Sequence, residues 1–176
     1  MPRKRVYRSK KKLGQVPGSI IYTGERSTEK LTIETFDYSK DTCFEKDLHT
    51  VEESFGFKDT NSVTWINLNG LNHVNEIEKL GHHFELHPLV LEDIVNIAQR
   101  PKIDEHDGYI FVVLKMLYYN AEQHIVSEQV SFVLGKNYVL SFQEADGDVF
   151  DSVRERIRQS KGRVRSMLAD YLLYTL

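Results

Sequence analysis

The chain has 176 residues, of which 40% are hydrophobic and 28% are charged, with a formal net charge of −3. These values are ordinary for a soluble globular protein with one well-formed core. A single cysteine, Cys43, excludes a disulfide framework within the chain and favours a reducing compartment.

The first twelve residues differ in charge from the rest of the chain. They contain seven basic residues and no acidic one, so the remainder carries 16 basic and 26 acidic residues, a net charge of −10. We therefore predict a disordered basic leader at residues 1–12, followed by an acidic domain that attracts cations and repels nucleic acid. The leader could be a solvated extension, or it could bind nucleic acid or anionic lipid. No apolar run follows it, so a secretory signal is not indicated.

Residues 13–70 predict strands more clearly than helices. Ser19–Tyr22 is predicted as a short strand, and Lys30–Phe36 alternates apolar and polar residues as a half-buried strand does. The polar stretch that follows is predicted to hold a helix around Phe44–Val51. Val63–Leu68 is predicted as a third strand, because Asn69-Gly70 after it is a strong turn signal.

Two helices are predicted next. His73–Phe84 repeats apolar residues at helical spacing, and Pro88 suits the first position of a second helix, where a missing N–H costs nothing. Pro101 would end that second helix, since the residue before a proline avoids helical dihedral angles. Its buried stripe is predicted to contain Leu91, Ile94, Val95 and Ala98.

The next segment predicts a run of antiparallel strands. Lys102–His106 is a short strand, and three longer ones follow at Tyr109–Tyr119, Val126–Leu134 and Tyr138–Phe142, separated by short polar turns. Tyr109–Tyr119 is the longest apolar stretch, but Lys115 interrupts it and it is too short to span a bilayer.

Residues 146–176 are predicted to be helical. The first helix covers Val149–Ser160, with Val149, Phe150, Val153 and Ile157 facing inward. The second begins near Arg163 and accumulates apolar residues to Leu176 without a capping glycine, a basic last turn or a proline. We therefore expect the chain to end inside a helix, as part of a longer protein.

Together these elements predict an α/β fold with a mixed sheet of about six or seven strands. The order of the segments resembles the cytoplasmic amino-terminal domain of the CorA family of magnesium and cobalt transporters. The residues that carry the resemblance are Pro17-Gly18, Tyr22-Thr23-Gly24, Thr64-Trp65-Ile66-Asn67, His87–Ile94, Gln99-Arg100-Pro101-Lys102 and Val153–Arg158. The resemblance implies helices on both faces of the sheet, an α/β/α sandwich, with residues 13–145 as the α/β domain and residues 146–176 leading to a stalk.

The resemblance also implies a function. Members of the family are homopentameric channels of the cell (inner) membrane, with a cytoplasmic sensor domain, a stalk helix and two membrane helices in each subunit. The family's pore signature, Gly-Met-Asn, is absent from this sequence. The chain is thus expected to be the soluble, cytoplasmic, metal-sensing part of a magnesium or cobalt channel, in contact with the membrane only through a missing carboxy-terminal region. A zinc-transporting member of the same family is the alternative.

Glu92 and Asp93 are the candidate metal ligands. Adjacent residues on a helix point about 100° apart, so the two carboxylates cannot chelate one ion as a simple pair. Magnesium often takes only one or two carboxylates and keeps several waters, but two acids in the first turns of a helix can equally be plain surface charges. The resemblance implies that Asp93, with Glu92 beside it, contributes to a regulatory magnesium site between subunits, where cobalt could also bind.

Two competing sites use histidine. His82, His83 and His87 have a spacing that could bind zinc, although Pro88 makes one continuous helix through them improbable. A metal-dependent hydrolase would require Asp93, Glu92 and His87 to meet in one pocket. The chain has no G-x-x-x-x-G-K-[ST], H-E-x-x-H or G-x-S-x-G motif, so we predict that it is not an enzyme.

Overall fold

The computed structural model describes residues 16, 18–25, 27–119, 122–144 and 147–176. The strands are β1 (Thr32–Tyr38), β2 (Cys43–Leu48), β3 (Val63–Asn69), β4 (Lys102–His106), β5 (Tyr109–Tyr119), β6 (Ile125–Leu134) and β7 (Tyr138–Gln143). The helices are α1 (Val74–His83), α2 (Pro88–Ile94), α3 (Asp151–Arg158) and α4 (Ala169–Thr175), with 3₁₀ segments at Val51–Phe57 and Val164–Ser166. The basic leader predicted at residues 1–12 lies outside the described residues.

All seven strands form one mixed sheet in the order β2-β1-β3-β7-β6-β5-β4. Strands β3 and β7 are parallel, and every other neighbouring pair is antiparallel. The predicted meander of β5, β6 and β7 is confirmed, because each pairs with the next along the chain. The predicted α/β class and the number of strands are confirmed as well.

Two hydrophobic cores lie on opposite faces of the sheet, because strand side chains alternate between faces. Helices α1 and α2 and the first 3₁₀ segment cover one face, where Ile66, Ile77, Leu91 and Leu140 are buried. Helices α3 and α4 cover the other face, where Trp65, Phe132, Val153 and Leu172 are buried. The helices therefore flank the sheet on both sides, as expected.

The helix predicted around Phe44–Val51 is wrong. Residues 43–48 form the edge strand β2, paired with β1 through a turn in which Ser39 N donates to Thr42 O. An edge strand with four consecutive exposed residues has no two-residue burial pattern, and this is why the sequence did not indicate it. The strand predicted at Ser19–Tyr22 is also wrong, since the described residues there form no strand.

Helix α2 ends earlier than predicted. It stops at Ile94, and Ala98, expected in its buried stripe, is exposed. Side chains from other elements bind the backbone that a longer helix would have used. Gln129 Nε2 donates to the Asp93 carbonyl, Lys115 Nζ to the Ile97 carbonyl, and Ile97 N donates to Thr23 Oγ1.

The carboxy-terminal region also departs from the prediction. Helix α3 begins at Asp151, so Val149 precedes it and is 51% exposed instead of facing inward. The single helix predicted from Arg163 is broken, because Met167 and Leu168 are extended and α4 starts at Ala169. This break lets both Val164 and Leu172 reach the core. Within the described ranges, no helix combines the length and apolarity needed to cross a bilayer.

Candidate functional site

The two candidate acids lie on α2, which the local sequence starts at a defined residue. His87 has an extended backbone and caps the helix, with its Nδ1 accepting a hydrogen bond from Leu89 N at 3.2 Å. Pro88 occupies the first turn, as predicted. Val90, Leu91 and Ile94 are buried. The helix therefore leaves Glu92 and Asp93 partly exposed at the margin of the core.

Asp93 is held by two side chains from the segment that follows α2. Its Oδ2 lies 2.7 Å from Lys102 Nζ, and its Oδ1 accepts a hydrogen bond from Gln99 Nε2. The Asp93 side chain is 20% exposed to solvent. Its carboxylate is thus accessible from solvent, but it already has a cationic partner.

Lys102 bridges two carboxylates. Its Nζ lies 2.7 Å from Asp93 Oδ2 and 2.5 Å from Asp104 Oδ2, and 5.4 Å from the centre of the Phe111 ring. Burial by itself would lower the pKa of Lys102, but hydrogen bonds from the ammonium to Asp104 and Asp93 outweigh it and raise the pKa above its ordinary value. The ammonium is therefore charged over the whole physiological pH range.

Glu92 is engaged by a different part of the chain. Its Oε2 accepts a hydrogen bond from Gly18 N at 2.8 Å. Residues 18–25 cross over the end of α2, and Thr23 N donates to the Val95 carbonyl at 3.2 Å. Glu92 thus anchors the amino-terminal segment, while Asp93 faces the start of β4. The separation expected for adjacent helical carboxylates is observed.

The donor chemistry at Asp93 fits a hard divalent cation only as part of a site. Asp93 and Asp104 supply carboxylate oxygens on either side of one positive charge, the Lys102 ammonium. In the part of the chain that the structure describes, no cluster of three or more His, Cys, Asp or Glu side chains is arranged to hold a metal ion. Magnesium accepts one or two carboxylates with water in its other positions. The arrangement therefore fits magnesium if water and a second subunit complete the coordination.

The histidines do not form the alternative zinc site. His83 stacks on Phe55 with ring centres 4.0 Å apart, and its Nε2 lies 3.0 Å from the Phe55 carbonyl oxygen. His87 caps α2, and His82 is exposed. Neither of the two competing sites forms among the described residues, since neither the three histidines nor Asp93, Glu92 and His87 converge on one point.

Sequence reasoning missed the residues that contact Asp93. Gln99 and Lys102 entered only through the resemblance, and Asp104 only as part of the predicted strand Lys102–His106. A signal was available, because Lys102 and Asp104 are two residues apart on a strand and therefore share one face. That this face meets the end of α2 depends on the pairing of β4 with β5, which local sequence does not show.

Comparison with known proteins gives consistent matches. The model of the family "CorA-like Mg2+ transporter protein" matches residues 60–175. The chain is 47% identical over 166 residues to the cobalt/magnesium transport protein CorA of Thermotoga maritima, an alignment that covers 94% of this chain. It spans 47% of that relative's length.

Solved structures share the fold. The soluble domain of CorA from Methanocaldococcus jannaschii superposes with a TM-score of 0.56 at 15% identity, covering 86% of this chain and 55% of that one. The full-length CmaX protein superposes with a TM-score of 0.62 at 13% identity, covering 86% of this chain and 45% of that one. At these identities the likeness concerns the fold alone.

Proposed function

This chain belongs to the family of CorA-like Mg2+ transporter proteins, and from that premise we propose that it is the cytoplasmic, metal-sensing region of a divalent-cation channel. The matched family consists of transport proteins and not enzymes, so the prediction that the chain is not an enzyme is confirmed. The relative at 47% identity is named as a cobalt/magnesium transport protein, which supports magnesium, and cobalt as a second ion, over the zinc alternative.

The observation that carries the metal-sensing role is the position of Asp93. Its carboxylate is 20% exposed and pairs with the Lys102 ammonium, which Asp104 shares. A carboxylate held in this way can be shared between two subunits, with a second acid facing it across the boundary. We assign Asp93 the leading role and Glu92 a weaker one, because a backbone N–H already binds Glu92 Oε2.

Asp93 and a facing carboxylate on a neighbouring subunit would repel each other in the absence of a cation. A bound Mg2+ would supply two positive charges that offset this repulsion. Subunits joined at these acids would favour a closed channel, and their separation at low magnesium would loosen the assembly. The proposed assembly is a homopentamer in the cell (inner) membrane, attached through parts of the protein outside this chain. The −10 charge of residues 13–176 argues against nucleic acid as a partner.

Limited chymotrypsin digestion of the full-length protein over a magnesium titration tests this proposal. Wild type should become protected as magnesium rises, and Asp93→Asn should raise the midpoint of protection at least about tenfold. Asp93→Lys, which supplies a permanent positive charge, should make protection independent of magnesium. Asp41→Asn, a change of an exposed acid in the β1–β2 turn, is the matched control and should behave as wild type. Identical titrations for wild type and Asp93→Lys would refute the proposed role of Asp93.

A further inference from the structure

Lys102 is held more firmly than a surface lysine. It starts β4, where its backbone pairs opposite Val113 of β5, and its ammonium lies over the fully buried Phe111 ring. The side chain retains 32% exposure, so its alkyl part is packed while the charge reaches the margin of the core. The ammonium therefore lies within hydrogen-bond distance of both Asp93 and Asp104.

The two acids that share this ammonium differ in exposure. The Asp93 side chain is 20% exposed and the Asp104 side chain is 42% exposed, and both have an oxygen within 2.7 Å of Lys102 Nζ. Because Asp104 is two residues along the same strand, it stays within reach whatever Asp93 binds. Lys102 can thus leave Asp93 without losing its only carboxylate.

We propose that Lys102 is an intramolecular counter-ion that competes with the divalent cation for Asp93 and so sets the concentration at which the regulatory site fills. This inference rests on the proposed function of Asp93. When Lys102 is paired with Asp93, that carboxylate is less available to a divalent cation. When the cation binds Asp93 Oδ2, the ammonium is retained by Asp104 alone.

The arrangement has an energetic consequence. A cation that displaced an ammonium with a single partner would leave a half-buried charge unpaired, which is costly. Asp104 removes that cost, because the ammonium moves toward a more exposed acid. Competition from Lys102 therefore weakens magnesium binding at Asp93 moderately without preventing it. From the stabilisation that partly exposed ion pairs provide, loss of the Lys102 charge should shift the magnesium midpoint of protection about two- to fivefold.

The test uses the full-length protein, with magnesium alone as the ligand and the midpoint of chymotrypsin protection as the readout. Chymotrypsin cleaves mainly after aromatic residues, which no substitution used here adds or removes, and Lys102→Gln repeats the Lys102→Met measurement without the secondary site that a methionine adds. Lys102→Met should lower the midpoint about two- to fivefold. Lys102→Arg, which keeps the charge, should not lower it. Asp104→Asn should raise the midpoint, because the ammonium is then left to Asp93.

Two double substitutions and one control separate this effect from others. Asp104→Asn should have no effect when combined with Lys102→Met, which would exclude a direct role of Asp104 as a ligand. Lys102→Met should have no effect when combined with Asp93→Asn. Lys79→Met removes a lysine that also bridges two acids, Glu52 at 3.2 Å and Glu76 at 2.8 Å, and should leave the midpoint unchanged.

The outcomes distinguish the two proposals. If Asp93→Asn titrates as wild type, the proposed function fails. If Asp93→Asn raises the midpoint but Lys102→Met leaves it unchanged or raises it, the metal-sensing role stands and the counter-ion role is refuted. An equal shift in Lys79→Met would also refute the counter-ion role, since it would reflect net charge. Should Lys102→Met fail to fold, Lys102→Gln, which also removes the charge, takes its place in each of these comparisons and has the same expected outcomes.

Discussion

Arg154 and Asp148 form a two-point ion pair that is almost entirely buried between the sheet and α3. Arg154 Nη1 lies 2.7 Å from Asp148 Oδ1 and Nη2 lies 2.6 Å from Oδ2, while the side chains are 9% and 6% exposed. The Arg154 guanidinium also binds Glu34 at 2.7 Å and lies 5.1 Å from the Trp65 ring centre. Glu34 of β1 binds Arg154, and Asn67 of β3 and Gln143 of β7 donate to Asp148, so the pair connects α3 to the sheet.

Replacing Arg154 should destabilise the fold strongly. Arg154→Met leaves the Asp148 carboxylate buried without its main partner, and breaking a buried pair in this way costs about 3–5 kcal/mol. Arg158→Met is the control, because Arg158 pairs with Glu45 at side-chain exposures of 38% and 36% and should contribute at most about 1 kcal/mol. Urea unfolding followed by circular dichroism measures both. Equal losses in the two variants would contradict the importance of burial.

The same pair should make stability sensitive to acid. Burial by itself would raise the pKa of Asp148, but hydrogen bonds from Arg154 and from Phe150 N outweigh it and hold the pKa below its ordinary value of 3.8. The unfolded state, with the higher pKa, then takes up the proton first as pH falls. The stabilisation is therefore complete above about pH 4 and is lost as pH falls through the folded pKa.

Asp148→Asn should consequently be less stable than wild type at neutral pH and lose less stability on acidification below about pH 4. Asp151→Asn is the matched control, because Asp151 also pairs with Arg154, at 3.2 Å, but its side chain is 94% exposed. Its acid dependence should follow that of wild type. The free energy of unfolding, measured at a series of acidic pH values, tests this prediction. Parallel curves for Asp148→Asn and wild type would show that another group causes the loss of stability in acid.

Gly81 of α1 packs closely against Leu91 of α2, so adding a methyl group at position 81 should destabilise the fold. A Cβ there would lie 2.4 Å from Leu91 Cδ2 and 2.7 Å from Leu91 Cδ1, and Leu91 is 2% exposed. Gly81→Ala should therefore destabilise the protein by about 1–3 kcal/mol, despite the better helix propensity of alanine. Gly56→Ala, where no atom lies within 4 Å, should be close to neutral in thermal unfolding.

A double variant tests the cause of that loss. Leu91 is two residues before Asp93 on α2, so crowding at Gly81 should also displace the candidate metal ligand. Leu91→Val should recover part of the stability lost in Gly81→Ala, because it removes the crowded Cδ atoms. Additive losses in the double variant would instead place the cost elsewhere.

The Thr23 hydroxyl should tie residues 18–25 to the turn after α2. It accepts a hydrogen bond from Ile97 N at 3.2 Å and donates one to Asn96 Oδ1 at 3.2 Å. Thr23→Val keeps the shape but leaves the Ile97 N–H without this acceptor, at a cost of about 1–2 kcal/mol. Thr23→Ser keeps the hydroxyl and should cost less. Faster amide exchange at Ile97 in Thr23→Val, but not in Thr23→Ser, is the expected result, and equal exchange in both would contradict it.

Much of the fold follows from local sequence. The alternation in Lys30–Phe36 predicts a strand, because residues facing a core must recur with the period of the element. The turn signal after Val63–Leu68 and the β-rich runs at Tyr109–Tyr119 and Val126–Leu134, with polar turns between them, predict the others. Pro88 likewise predicts the start of α2, since its missing N–H suits only the first turn. The candidate acids Glu92 and Asp93 were identified by residue type and by resemblance.

Other features depended on groups distant in sequence. Whether residues 43–48 form a helix or the edge strand β2 was decided by pairing with β1, because the exposed side chains carry no periodic signal. Helix α2 ends at Ile94, where Gln129 of β6 binds the Asp93 carbonyl and Lys115 of β5 binds the Ile97 carbonyl in place of further helical hydrogen bonds.

The environment of Asp93 shows the same division. Local sequence is enough to predict a carboxylate on a helix that starts at Pro88. Its pairing with Lys102 follows from tertiary packing, because the distance between their charged atoms is set by the pairing of β4 with β5 and the packing of α2 on that sheet face. Charge interactions act through space, so their partners are known only once the chain has folded.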